Sequence, residues 1–300
     1  MAFEVTTATF AQLDNHFGGA HARRALIHYL SAEVPALLAG RYTERTGRLL
    51  HVAVAEAVLL AGWSSYDAGH HGLAQRYLIQ ALRTAKAGDD VLLAGSILDA
   101  MSHQATFLGQ YRQAATLAET ALTGTSGRAT PTLTAHFHAM AGRAYAAAGD
   151  AANADRAMNQ AVSVFGQRQS GEDDPAWISY FDDVELNAEL AHCSRDLGRA
   201  SDTVTYASTA LAGAGASERS DFFVTMVLAD GHLSDDNLDR ACATVQAILP
   251  GAGQLKSARS VRYLRDFRHR LRAHADHLAV IELTDYAAAY PIWDRASPQP

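Results

Sequence analysis

A repeated unit places the tightest constraint on the fold of this chain. Four segments share a turn glycine followed by alanine at fixed offsets, and a fifth, weaker copy has Asp236 at the turn position. Successive turn residues are separated by 40, 40, 49 and 38 residues. Such self-similarity indicates one supersecondary unit stacked on copies of itself. The turn glycines are Gly69, Gly109, Gly149 and Gly198.

Small residues recur seven positions before each turn and five and twelve positions after it. The slot seven before the turn holds Gly62, Ser102, Gly142 and Ala191. The slot five after it holds Ala74, Ala114, Ala154 and Thr203, and the slot twelve after it holds Ala81, Ala121, Ala161 and Ala210. Small side chains there let the two helices of a hairpin approach closely, and larger residues between them pack against the next hairpin. The pattern predicts an all-α fold, an α-solenoid of helical hairpins wound into a right-handed superhelix.

The flanking sequence predicts how the array begins and ends. We expect one domain over residues 1–300, with N-terminal helices over 1–55, about five hairpins over 56–250 and C-terminal capping helices over 256–290. The tail PIWDRASPQP is expected to fray. The largest insertion, QRQSGEDDPAWISYF, is predicted to hold a loop and, from Pro175, a new helix.

Charge and composition narrow the class of protein. The net charge of −7 argues against a dedicated nucleic-acid binder. The two cysteines, Cys193 and Cys242, form no CxxC pair, which fits a reducing compartment. The N-terminus lacks the pattern of a signal peptide, and no run of eighteen apolar residues occurs. These features predict a soluble cytoplasmic protein without a membrane segment.

The first helix of each hairpin is expected to line the concave surface of the solenoid. The slot six residues before each turn then points into the groove, and it holds Trp63, His103, Arg143, His192 and Asp230. A mixed aromatic and polar groove suits a ligand with both kinds of surface. The alternative is that these are ordinary solvated residues. The neighbouring inward slots add Asp67, Phe107, His136 and Glu185 to the predicted ligand-binding set.

One dense basic stretch lies in the segment KSARSVRYLRDFRHRLR. Its stripe consists of Arg259, Arg262, Arg265, Arg268 and Arg272, opposite a packing face of Val261, Leu264, Phe267 and Leu271. The stripe either pairs with acidic residues of the preceding repeats or holds an anion, with Arg259 and Arg262 the predicted ligand contacts. In the insertion, Trp177, Tyr180 and Phe181 are predicted to share one helix turn. They are either core residues, or Trp177 and Tyr180 close over a bound molecule.

Motifs for metal, cofactor or nucleophilic chemistry are absent from the sequence. Fourteen histidines occur, but none belongs to an HExxH or paired Glu-x-x-His pattern, and no phosphate-binding glycine loop or GxSxG turn is present. We therefore expect neither a metal nor a cofactor. If the groove is catalytic, acid–base chemistry would fall to His103 or His192 with Asp67, Asp196 or Glu185.

The slots of small residues resemble the tetratricopeptide motif, although the spacing exceeds its usual period of about 34 residues. The runs FGGAHARRALIHYL, MSHQATFLG and DDPAWISYFDDVELNAELAHCSRDLG are similar to the tetratricopeptide sensor region of Cro/CI-type (XRE family) transcriptional regulators of high-GC bacteria. The resemblance runs from about Phe17 to Leu271. That family places a helix-turn-helix domain first, and the first residues here show no such pattern. We expect either a sensor region alone or a stand-alone relative.

The resemblance implies a sensor of a small molecule or peptide that self-associates, as a homodimer. Because the helix-turn-helix pattern of that family does not occur here, we expect no direct DNA contact by this chain. The leading hypothesis is a regulatory protein that binds its ligand in the concave groove and signals through a protein partner. Two alternatives remain at this stage. One is an enzyme of specialised metabolism that uses acid–base residues of the groove, and the other is a protein–protein scaffold.

Overall fold

A computed structural model describes residues 2–169, 174–213 and 218–297 of the chain. These residues form fifteen α-helices and no strand, so the predicted all-α class is confirmed. Short 3-10 turns lie at Ala176–Ile178 and Arg272–His274. The helices are α1 Ala2–Phe17, α2 Gly19–Leu38, α3 Glu44–Asp67, α4 His71–Ala87, α5 Val91–Phe107, α6 Tyr111–Gly124, α7 Pro131–Ala147, α8 Ala151–Phe165, α9 Asp183–Asp196, α10 Ala200–Ala212, α11 Glu218–Ser234, α12 Leu238–Ala252, α13 Ala258–Leu271, α14 Leu278–Ala287 and α15 Pro291–Arg295.

The predicted turn residues join the helices into hairpins. All four turn glycines have positive φ, between 71° and 82°, a conformation that ends a helix and suits glycine. In the fifth copy Asp236 has φ 55°, which aspartate tolerates better than most residues. The weakest copy therefore makes the same turn as the others. The hairpins are α3–α4, α5–α6, α7–α8, α9–α10 and α11–α12.

Small residues allow close contact within the hairpins, as expected. A Cβ atom at Gly62 would lie 2.8 Å from the side chain of Leu78, so α3 and α4 approach where only glycine fits. In the next hairpin Ser102 Oγ donates a 2.8 Å hydrogen bond to the Ala114 carbonyl oxygen. These two residues occupy the slots seven before and five after the turn. The repeat pattern thus encodes the packing inside each hairpin.

The chain divides into two compact units, Met1–Ser179 and Tyr180–Pro300. In unit 1 the first helices of the hairpins pack in succession, α3 on α5 and α5 on α7, while α1 and α2 pack against α3. In unit 2, α9 packs on α11 and α11 on α13, and α14 packs on α12. The terminal pair α13 and α14 thus continues the packing pattern of the hairpins in unit 2. The prediction of a single domain stays a prediction.

Among the described residues, α3 is the one helix long and apolar enough to cross a membrane, with a mean hydropathy of 1.3 over its most apolar window. Half of that window is buried inside the protein. The helix packs against α2, α4 and α5, and core helices of soluble proteins have the same length and composition. Packing within unit 1 therefore accounts for the buried half of this window.

Two local predictions are wrong. The tail does not fray over 291–297, because Ile292 and Trp293 are buried in the core of unit 2 and hold α15 in place. The helix expected from Pro175 begins instead at Asp183, where the Asp182 carboxylate accepts hydrogen bonds from two backbone N–H groups. Residues 170–173 of the insertion and the last three residues of the tail lie outside the described residues.

Candidate functional site

Three of the predicted groove residues meet in unit 1. Trp63 lies edge to face with the His103 ring at 5.2 Å, and Phe107 is one turn beyond His103 on α5. Two further rings, Tyr66 and His71, complete the group, which we call the aromatic–imidazole cluster. Ring centroids of neighbouring members are 5.2–5.8 Å apart, within the range of favourable aromatic pairs. The cluster is therefore one continuous ring surface.

The repeat explains why these five rings converge. Trp63 and Tyr66 are three residues apart on α3, and His103 and Phe107 are four apart on α5, so each pair occupies one helix face. Helices α3 and α5 pack directly on each other. His71 begins α4, and its carbonyl oxygen accepts a 3.1 Å hydrogen bond from Gln104 Nε2.

A hydrogen bond links two members of the aromatic–imidazole cluster. The Tyr66 hydroxyl and His103 Nδ1 are 3.1 Å apart. When Tyr66 donates, the neutral imidazole carries its proton on Nε2. Tyr66 is fully buried, whereas Trp63, His103 and Phe107 are half-buried and reach the surface. The buried phenol thus orients a partly accessible imidazole among aromatic rings.

Asp67 has a different position from the one predicted. Its carboxylate is fully buried and accepts a 2.8 Å hydrogen bond from the backbone N–H of Gly19, at the first turn of α2. An acidic group at a helix N-terminus is stabilised by the unpaired backbone N–H groups there. Its immediate role is to hold α2 against the end of α3, and it does not line an open groove.

Two other predicted residues of unit 1 are buried in α7. His136 Nδ1 lies 3.3 Å from Asp99 Oδ2, with both side chains enclosed. Burial lowers the pKa of His136 to about 3, so the imidazole is neutral at pH 7. Arg143 is also buried, with 8% of its surface exposed. Neither side chain is on an exposed face of the unit.

Unit 2 has a group of paired charges around Asp230, which occupies the slot that holds Trp63 and His103 in unit 1. The Asp230 carboxylate lies between two guanidiniums, forming a close ion pair with Arg270 and lying 3.7 Å from Arg195 Nη1. Arg195 also contacts Asp196 at 2.7 Å. Burial, with the charge of Arg195, lowers the pKa of Arg270 to about 10. We call these four residues the ionic cluster.

Aromatic and cationic side chains surround the ionic cluster. The Tyr263 ring lies 6.0 Å from His192 and 5.0 Å from Phe223, and the Arg195 guanidinium lies 5.6 Å from its centroid. Arg259 is buried with its guanidinium 4.4 Å over the Phe223 ring. Arg259, which was predicted as a ligand contact, is thus packed against Phe223 inside unit 2, and its role as a ligand contact stays a prediction.

The remaining predicted residues are dispersed. Glu185 is half-buried in the first turn of α9, and Arg262 is exposed, 3.7 Å from Asp266 on its own helix. Trp177 lies in a 3-10 turn and packs against the core of unit 1, whereas Tyr180 follows that turn with 53% of its surface exposed. The two aromatic residues do not share a helix turn, because α9 begins only at Asp183.

Five participants were missed at the sequence level, namely Tyr66, His71, Arg195, Tyr263 and Arg270. The participation of Tyr66 could have been predicted, because it lies three residues after Trp63 on the same helix face. Tyr263 and Arg270 are in the basic segment, but they are not part of its arginine stripe. Their partner residues come from other hairpins, which spacing alone does not reveal.

No group of three or more histidine, cysteine, aspartate or glutamate side chains that would hold a metal ion occurs in the part of the chain that the structure describes. Both cysteines are buried thiols, and burial raises the pKa of Cys242 to about 11. No protein-family model matches the chain, and no curated protein is significantly similar to it in sequence.

Proposed function

We propose that this chain is a tetratricopeptide-type regulatory protein that binds a small molecule or short peptide at the aromatic–imidazole cluster. The proposal rests on the convergence of Trp63, His103 and Phe107 with two additional rings, those of Tyr66 and His71. The first three residues were predicted from their positions in the repeat. A partly open surface of this kind is typical of small-ligand sites, which combine aromatic walls with a few polar groups.

The chemistry of the cluster favours an uncharged aromatic ligand, or a peptide segment with an aromatic side chain. Its five members contain no carboxylate, ammonium or guanidinium group. Trp63 and Phe107 offer ring faces and edges, and His103 offers a hydrogen-bonding nitrogen held by Tyr66. A ligand ring would stack on the apolar members while a polar substituent pairs with the imidazole.

The repeat architecture supplies a route from binding to signalling. Each hairpin contacts mainly its sequence neighbours, so a ligand that draws α3 and α5 together changes the angle between successive hairpins. A partner that prefers one angle would report the change. We further propose that the protein acts in the cytoplasm as a homodimer and signals through a protein partner.

The binding role has more support than the enzyme alternative. The hydrogen-bonded pair of Tyr66 and His103 resembles an acid–base pair. However, Asp67, the acid predicted to act with His103, accepts the backbone hydrogen bond that holds α2. Glu185 belongs to the other unit. Asp67 therefore has a structural role at the start of α2, and this role favours binding over acid–base chemistry as the function of the aromatic–imidazole cluster.

Ligand titrations on matched variants test the proposal. Indole, 4-hydroxyphenylacetamide and the tripeptide Gly-Phe-Gly-amide would be titrated into the full chain by calorimetry, followed by Trp63→Ala and His103→Ala. At least one probe should bind, and each variant should weaken it by about tenfold, the loss expected for one good ring contact or hydrogen bond. Ile79→Ala on the exposed face of α4 is the control and should bind normally.

Two results would contradict the binding role. One is that none of the three probes binds the wild-type protein. The other is that a probe binds equally well to wild type, Trp63→Ala and His103→Ala, which would place its site elsewhere. Circular dichroism of each variant would confirm that the helices are retained.

A further inference from the structure

A cleft in unit 2, outside both clusters, combines an apolar floor with paired cations. Its volume is about 390 Å³, and it lies among the end of α13, the 3-10 turn after it, α14 and α15. Leu271, Val280 and Trp293 form the floor and are themselves almost fully buried. Ile281 lies at the edge with 45% of its surface exposed. The volume is within the range of small-molecule sites, about 300–1,000 Å³.

Arg268 is held in a defined position at this cleft. Its guanidinium lies 4.3 Å from the Trp293 ring centroid, donates to the Trp293 carbonyl oxygen and donates a 3.2 Å hydrogen bond to Ser297 Oγ. The side chain loses little further freedom when it binds an anion, because packing has already ordered it. A preorganised guanidinium beside an apolar floor is what a carboxylate-bearing ligand requires.

A second cation, Arg272, lines the same cleft. Burial lowers the pKa of Arg268 most, the Asp294 carboxylate raises it, and the charge of Arg272 lowers it by a smaller amount, so the two guanidiniums repel each other. An anion between them would relieve this repulsion. Asp285 also lines the cleft, and its charge would oppose a dianion. The lining therefore favours a monoanion with a compact apolar body.

We propose that this cleft binds a small monocarboxylate with an aromatic or aliphatic body. The carboxylate lies between Arg268 and Arg272. The apolar body covers the floor and the exposed edge of Ile281. The site is separate from the aromatic–imidazole cluster, which has no cation, so the protein would carry two sites of different ligand chemistry.

Nuclear magnetic resonance tests the proposal on the full chain. The three tryptophan indole N–H signals are assigned with Trp63→Phe and Trp177→Phe, and 4-phenylbutyrate is titrated in at pH 7 and low salt. The Trp293 signal should shift with a Kd of about 1 mM, the affinity expected for a ligand of this size, while the Trp63 signal stays in place. The neutral analogue 4-phenylbutan-1-ol should bind at least about tenfold more weakly.

Arg272→Gln should weaken binding of 4-phenylbutyrate by about tenfold, because it removes one charge-assisted contact. Arg262→Gln is the matched control, since Arg262 is exposed on α13 and does not line the cleft. Absence of a Trp293 shift, equal binding of acid and alcohol, or equal binding by wild type and Arg272→Gln would each overturn the proposal. A shift of the Trp63 signal alone would support the aromatic–imidazole cluster and refute the cleft.

Discussion

The two units use equivalent helix positions for opposite chemistry. In unit 1 the slot six before the turn holds Trp63 and His103, which meet in a cluster of aromatic and imidazole rings that contains the Tyr66–His103 hydrogen bond, and Arg143, which is buried in α7. In unit 2 the same slot holds His192 and Asp230, and Asp230 is bracketed by two arginines. The repeat sets the position of these side chains, and the residue types at each position set the chemistry.

This difference has consequences for stability as well as for binding. The rings of the aromatic–imidazole cluster should tolerate the loss of one polar contact, because their packing does not depend on the pairing of opposite charges. The ionic cluster depends on pairing, since removing one partner leaves a desolvated charge. Unit 1 should therefore adapt to an uncharged ligand, whereas unit 2 should respond sharply to changes of charge.

The largest effect is expected from breaking the ionic cluster. Asp230→Ala leaves Arg195 and Arg270 facing each other in a mostly buried setting and should lower the free energy of unfolding by roughly 3 kcal/mol. Urea unfolding followed by circular dichroism measures the change. Arg262→Ala, which removes an exposed i,i+4 pair with Asp266, is the control. A loss for Asp230→Ala no greater than that of the control would show that the cluster is not stabilising.

Acid should act on unit 1 through His136. The folded pKa is about 3 and the ordinary value is 6.5, so below pH 6.5 the unfolded state binds a proton that the folded state does not. Stability present at pH 7 is then lost as the pH falls toward 3, by roughly 2–3 kcal/mol between pH 6.5 and 4.5. Urea midpoints measured across this range would show the slope.

The histidine variants identify the source of that slope. His136→Gln should flatten the pH dependence of stability between pH 6.5 and 4.5, whatever its effect at neutral pH. His28→Gln, at an exposed position on α2, should leave the slope unchanged. An unchanged slope in His136→Gln would mean that other groups cause the acid sensitivity.

A smaller effect is expected from the hydrogen bond in the aromatic–imidazole cluster. Tyr66→Phe keeps the buried ring and removes the contact with His103, so the free energy of unfolding should fall by about 1 kcal/mol. Tyr286→Phe removes the hydroxyl of an exposed pair with Tyr290 and should have almost no effect. A loss for Tyr66→Phe as large as that for Asp230→Ala would erase the contrast between the units.

The smallest effect is expected at the exposed end of the arginine stripe. Arg262→Ala should change the free energy of unfolding by about 0.5 kcal/mol or less, because a solvated i,i+4 pair contributes little. The difference should also disappear in 1 M salt. A loss above 1 kcal/mol, measured in the same urea titrations, would mean that Arg262 has a structural role like that of Arg259.

The positions of turns and of contacts within a hairpin could be predicted from the sequence, because they depend on the spacing of residues along one helix. The turns at the four glycines and at Asp236, the small-residue contacts of Gly62 and Ser102, and the buried face of α13 are all set by helix periodicity. The meeting of Trp63 and His103 also follows, because their slots are equivalent in successive hairpins, and Phe107 lies one turn beyond His103 on α5. In each case a period of 3.6 residues and a fixed repeat length suffice.

The partners of those side chains were decided only by tertiary packing. Asp67 holds the N-terminus of α2, and Arg259 stacks on Phe223. The tail is ordered by Trp293, which docks in the core of unit 2. Each contact joins segments far apart in the chain, and periodicity contains no information on which distant group is near enough to bond. The sequence by itself determined the succession of helical hairpins, and packing determined which side chains are buried in the core and which stay partly exposed.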